Sequence, residues 1–136
     1  ECRPKSGSLP YENIFGPGVY TGNGQYGYTN NCDKDAVVTL KSLRTNRAVR
    51  SVFIRSGDKY IIDKIPIGSY RVSILYGEEW LDKTNDRGRF NVGERAEVID
   101  GIMTYSGRGE KKSLQDCVIG GTISGSDISI DEYFNR

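Results

Sequence analysis

No histidine occurs among the 136 residues. That absence removes the usual Ser-His and Cys-His nucleophile pairs and the commonest transition-metal ligand. The three cysteines, Cys2, Cys32 and Cys117, include no C-x-x-C pair, so a zinc site of ordinary ligand type has no donor set. Neither a Walker A loop nor a G-x-G-x-x-G turn after a strand is present, and nucleotide binding has no support. No apolar run is long enough to cross a bilayer, and there is no signal-peptide core. Nor is there an excess of one charge: 19 Lys and Arg face 18 Asp and Glu, for a net charge of +1. Proteins that neutralise nucleic-acid phosphates carry a concentrated basic surplus, so no nucleic-acid partner is expected. Arg44, Arg47, Arg50 and Arg55 do cluster, but Asp58, Asp63, Glu78, Glu79 and Asp82 follow closely, as on a mixed solvated surface. Convincing helical periodicity is missing throughout.

What is present is β patterning. In Asp58–Trp80, a strand leads through Pro66–Ile67–Gly68 into a long alternating strand. There Tyr70, Val72, Ile74 and Tyr76 point one way while Arg71, Ser73 and Leu75 point the other, the period of a half-buried antiparallel strand. Ahead of it, Ala36–Leu40, Val49–Ile54 and Tyr60–Asp63 are rich in β-branched residues and separated by turn clusters. Four strands at short, regular spacing predict an all-β fold, an antiparallel sandwich of about seven strands over residues 32–136. Beyond Trp80 the sequence predicts a polar loop over Asp82–Gly88, weak strands at Arg89–Val92, Glu97–Asp100 and Ile102–Tyr105, a charged turn at 108–112, and a strand from Leu114 to Ile119. A bend at Gly120–Gly121 and an acidic-aromatic ending, Asp131–Phe134, follow.

Residues 1–31 differ in composition. Five glycines between Gly16 and Gly27 alternate with Tyr20, Tyr26 and Tyr28, and aliphatic residues are few. Such a segment has little to bury against its backbone entropy, and a linker or loosely docked arm is expected. Among the three possible single disulfides, Cys32–Cys117 is favoured, since each cysteine borders a strand-like segment and the bridge would tie the start of the domain to its end. Closing so long a loop would stabilise by about 4 kcal/mol in the chain-entropy model, and it would imply an oxidising compartment. The chain opens at Glu1–Cys2 rather than methionine, which reads as a processed product or a cut piece with room for a membrane anchor upstream.

Chemistry-bearing residues gather at the end of the alternating strand. Glu78 and Glu79, with Asp82 and beside Trp80, resemble the paired carboxylates and aromatic platform of a glycosidase. Adjacent strand residues project to different sides, however, so no enzyme is expected and no catalytic residue is assigned. The aspartates of the following loop lack the dense D-x-D-x-D-G spacing of a calcium loop, and neither metal nor cofactor is assigned. Trp80 is either an apolar lid on the sandwich or, with Tyr76, Glu78 and Glu79, an exposed stacking platform for a ligand.

The segment Ala36–Tyr76 resembles the prealbumin-like sandwiches, including transthyretin and the carboxypeptidase regulatory-like modules: AVVTL as opening strand, then IPIG as the Pro-X-Gly turn before SYRVSILYG. The stretch from Asn30 to Trp80 and the ending ISIDEYF are similar to membrane-anchored envelope proteins of Bacteroidetes-type bacteria. The resemblance implies an extracytoplasmic domain in the periplasm or at the cell surface, working as a non-catalytic protein-interaction or spacer module. The alternative is a carbohydrate-binding module using Trp80 and nearby tyrosines. The partner is then another protein or a surface glycan.

Overall fold

The computed structural model describes residues 3–84, 87–107, 114–119 and 125–134, the side chains of 83, 84 and 114–119 being outside that description. Among the described residues, nine strands and two single-turn helices follow in the order α1 (Glu12–Phe15), β1 (Gly24–Asn30), β2 (Asp35–Ser42), β3 (Ala48–Ile54), β4 (Lys59–Ile65), β5 (Gly68–Thr84), β6 (Arg87–Ile99), β7 (Met103–Tyr105), β8 (Leu114–Ile119), β9 (Gly125–Ile128) and α2 (Ile130–Tyr133). They form an all-β sandwich. The larger sheet runs β3-β2-β5-β6-β9, with β7 beside the start of β5, and the smaller runs β4-β1-β8. All pairings are antiparallel except β1 with β8, which is parallel.

The interior between the sheets takes one face of each strand. Val38, Leu40, Val52, Ile54, Val72, Ile74 and Tyr76 from the larger sheet meet Tyr26, Tyr28, Ile62 and Ile65 from the smaller. Residues one step away, Val37, Phe53 and Leu75, point to the outer face, yet they too are fully buried. The reason lies at the chain ends. Tyr11 and Phe15 of the α1 region and Ile130, Tyr133 and Phe134 of the α2 region cover that face together with Trp80 and Phe90. A sheet covered on both faces calls for continuous apolar strands rather than clean alternation, and Ala36–Val37–Val38 is such a run. Beneath α2, the Tyr133 hydroxyl donates to the Val37 carbonyl at 2.9 Å and lies 2.8 Å from Thr39 Oγ1, which is itself 2.9 Å from Ser51 Oγ. These buried polar atoms on an otherwise apolar face are thereby satisfied.

The segment expected as a linker or loosely docked arm is built into this architecture. Its residues 24–30 form β1, the middle strand of the smaller sheet. Its first part straps the open edge of β3: Gly7 N–H donates to Phe53 O at 2.8 Å, Phe53 N–H to Ser8 O at 2.9 Å, and Val19 N–H to Val49 O at 3.0 Å. Covering an edge strand in this way blocks stray pairing with other chains. Gly22 passes so close to the backbone at Ile65 that a Cβ there would sit 2.1 Å from a carbonyl oxygen.

Arg3 anchors the strap's beginning, with Nε and Nη2 donating to the two oxygens of Asp35 at 2.8 and 2.7 Å. Burial pushes the Asp35 carboxyl upward, but Arg3, the Ser56 N–H and the nearby Arg55 outweigh it and hold it below the ordinary carboxylate range. The contact is therefore fully present above the unfolded value of about 3.9 and is lost as pH falls through the lower folded value. Amide exchange at residues 3–8, corrected for intrinsic rates, is expected to quicken below about pH 4. In Asp35→Asn it should already be fast at neutral pH and show no acid step; a persisting step would assign the effect elsewhere.

Candidate functional site

The four residues singled out as a ligand platform lie on β5, and a local irregularity decides where each one goes. Between Tyr76 and Glu78 the register with β6 shifts, and Glu79 adopts φ 60°. The extra residue is on β6, where Arg95 to Val92 is three steps against two on β5, and within β5 the left-handed backbone at Glu79 breaks the alternation of side chains between the two faces. Tyr76 therefore faces the interior between the sheets, whereas Trp80 emerges on the outer face. Trp80 is 4% exposed, with ring centroids of Phe90, Phe53 and Tyr11 at 5.1, 5.5 and 5.8 Å. Gly88 lies against its ring edge, where a Cβ would come within 2.3 Å. Of the two sequence readings, apolar lid and open platform, the geometry is that of the lid. Tyr76 is equally enclosed: its hydroxyl donates to Glu97 at 3.3 Å, Arg95 stacks 4.4 Å from its ring, and burial pushes its phenol well up.

Glu78 and Glu79 do come together, at the rim of an open cleft of about 620 Å³ lined also by Arg3, Asp33 and Asp35. Lys34 Nζ stands 3.3 Å from Glu78 and 3.8 Å from Asp33, and Asn91 donates to Glu79 at 3.2 Å. The lining holds four carboxylates against one guanidinium, and Arg3 is engaged by Asp35. Among the described residues, no three His, Cys, Asp or Glu side chains are grouped closely enough to hold a metal ion.

The proposed bridge is not formed. Cys32 is a free thiol, pushed up in pKa by burial. Because β8 runs parallel to β1, Cys117 is registered beside Tyr28, four residues before Cys32, rather than at the strand end where the two would meet. The Cys117 side chain, Cys2, the charged turn at 108–112 and the Gly120–Gly121 bend lie outside the described residues.

A second cleft, not expected from the sequence, opens at the opposite end of the larger sheet. About 570 Å³ in volume, it lies between the β2–β3 turn and the Pro66–Ile67–Gly68 turn, with Val19 of the strap on one side. Leu43 N–H donates to Ser69 O at 3.0 Å, and Tyr70 hydroxyl to Pro66 O at 2.6 Å, so both walls are held by hydrogen bonds. Three aliphatic side chains face solvent here: Val19 is 40%, Leu43 46% and Ile67 68% exposed. Arg44 is the only charged residue in the lining and forms no ion pair among the described residues. In sequence, Leu43 looks like the tail of a strand and Ile67 like turn filler. The one available signal was an aliphatic residue at the tip of a Pro-X-Gly turn, where its side chain lies against Gly107.

Comparison with known proteins gives no matching family model, no matching curated protein and no matching solved structure.

Proposed function

We propose that the chain is a non-catalytic protein-interaction module of prealbumin-like type, working outside the cytoplasm in a protein anchored to a cell envelope. The observation that carries the interaction part is the turn-end cleft. Three part-exposed aliphatic side chains gathered in one cleft with a polar rim have the character of a small contact site. The prealbumin-like part is supported by the motif around Pro66–Gly68 and by strand order. The first strand lies between the fourth and eighth while the second lies between the third and fifth, so successive strands cross between the sheets as in Greek-key sandwiches. The glycan-binding alternative draws no comparable support, because the rings of Trp80 and Tyr76 are both enclosed.

Site-specific photo-crosslinking tests the reading. With p-benzoylphenylalanine in place of Ile67, irradiation of cells that make the protein is expected to give a discrete protein adduct. The same probe at Ile61, which is 43% exposed on β4, should give none. Equal labelling from both positions, or none from Ile67, would overturn the proposal.

A further inference from the structure

The outer face of the larger sheet is covered by two pieces far apart in sequence: α1 with Tyr11 ahead of it, and α2 with Phe134 after it. Each helix is a single turn of four residues, too short to hold itself, so each piece depends on what it packs against. Each sinks one tyrosine into the sheet. Tyr11 packs on Trp80 and donates to Gly88 O, while Tyr133 reaches Val37 O and Thr39 Oγ1. Each also carries one half-buried phenylalanine that engages the other piece. Among the described residues, the rings against Phe15 are those of Tyr11, Tyr133 and Phe134, and it stacks on Phe134 at 5.9 Å with 11° between the planes. The rings against Phe134 are those of Phe15, Tyr133 and Tyr11, with Tyr11 edge-on at 4.8 Å. Arg87 of β6 touches both pieces, its guanidinium 4.6 Å from the Phe134 ring centroid and its Nη1 3.4 Å from the Tyr11 hydroxyl.

We infer that the two pieces are halves of one movable cover, which opens and closes over the sheet as a unit. The chain is fastened separately on either side of each half. Ser8 O accepts the Phe53 N–H ahead of α1, Val19 N–H donates to Val49 O behind it, and β9 pairs with β6 on the approach to α2. Just after α1, Gly16 and Gly18 flank Pro17 at φ 87° and 101°, and a Cβ at Gly16 would touch nothing. The halves can therefore lift while their flanks stay paired. Opening uncovers Val37, Phe53, Leu75, Trp80 and Phe90, a continuous apolar face. The turn-end cleft is lined by other residues and takes no part in the motion.

Native-state amide exchange on the full chain tests it, read at the bonded amides of Phe15 and Gly16 in one half and of Tyr133 and Phe134 in the other. In the parent, protection should be alike in the two halves and lower than in β2, whose amides exchange only when the whole fold opens. Removing a ring from one half should then loosen the other. Phe134→Ala is expected to speed exchange at Phe15 and Gly16, and Phe15→Ala at Tyr133 and Phe134, each roughly two- to tenfold, the size of a lost aromatic contact. In the double variant the two effects should fall short of additive, since both remove the same stacked pair. Tyr133→Phe keeps the ring but drops the hydroxyl's bonds into the sheet, and it should also loosen Phe15 and Gly16. A retained circular dichroism spectrum shows that each variant folds. Acceleration confined to the half that carries the substitution overturns the inference. So does a parent in which both halves are as protected as β2, because the cover would then open only with the whole fold.

Discussion

Trp80→Ala is expected to destabilise the fold by about 3–5 kcal/mol, the range for deleting a fully packed aromatic from a core. The size follows from where the ring sits. It is the hub at which Tyr11 of the strap, Phe53 of β3 and Phe90 of β6 meet, each with ring centroids within 6 Å. Aromatic contacts of this kind add to plain area burial. The cavity would open where the α1 region lies over the sheet, so the loss should register there as well as globally. The Tyr11 hydroxyl donates to Gly88 O at 2.8 Å, and that bond depends on the strap keeping its seat. Urea unfolding followed by far-ultraviolet circular dichroism, which does not depend on the lost indole, gives the measurement. Trp80→Phe should recover part of the difference by refilling some of the volume. A loss below about 1 kcal/mol would instead mean that the ring is peripheral, and it would reopen the platform reading. Glycans added to the parent protein are expected to leave indole emission unchanged, since no ring face is open.

How far the sequence revealed this arrangement depends on what each segment relies on. The strands β2 to β5 were legible because their apolar residues recur at a strand's spacing and their turns carry Gly, Asn or Pro. The strand Leu114–Ile119 was likewise legible, from the apolar Cys117–Val118–Ile119 that ends it. β1 was not, because Gly24–Asn30 has no aliphatic residue. Its stability comes from Tyr26 and Tyr28 filling the space between the sheets, a tertiary fact that local composition does not express. The expected loop after Trp80 is largely hairpin, with β5 continuing to Thr84 and β6 starting at Arg87. Here polar residues in strands mislead, since part of that hairpin runs beyond the edge of β2.

The candidate site was misread for a related reason. Strict alternation puts Tyr76, Glu78 and Trp80 on one face, and only the backbone irregularity at Glu79 separates them. The extra residue of the bulge lies opposite, between Val92 and Arg95 of β6, where Gly93 with φ 64° is its one mark in the sequence, and nothing in Gly77–Glu78–Glu79 announces the left-handed turn of Glu79. The disulfide expectation failed because strand spacing says nothing about whether the last strands run parallel or antiparallel to the first. The strap over β3 escaped because its contacts run mainly through backbone groups, which any residue types could supply.

Arg50→Met is expected to cost about 2–4 kcal/mol, the loss of several charge-assisted hydrogen bonds in a site where their acceptors are shielded from water. Arg50 is 3% exposed on β3 and, among the described residues, has no carboxylate partner in its hydrogen bonds. Its guanidinium instead donates to the carbonyls of Val19 and Val49 through one nitrogen and of Asp63 and Lys64 through the other. Tyr20 covers its plane, 3.7 Å from the ring centroid. One side chain therefore joins three segments that do not otherwise pair in a ladder: the end of the strap, the edge of the larger sheet and the end of β4. Methionine keeps much of the apolar stem but leaves the carbonyls of Asp63 and Val19 without this donor. Lysine is not a substitute, because a single ammonium cannot reach acceptors arrayed around a planar fork. Arg50→Lys should thus recover less than half of the loss. The decisive reading is local. Amide exchange at Val19 and Gly22 should rise well above the global rate in both variants, while β2 and β5 exchange only through global unfolding. Uniform weakening with no preferential opening at the strap would show that Arg50 serves the core generally. Preferential opening would make it the residue that holds Val19 in place as one wall of the turn-end cleft, and so couple a buried charge to the shape of that surface.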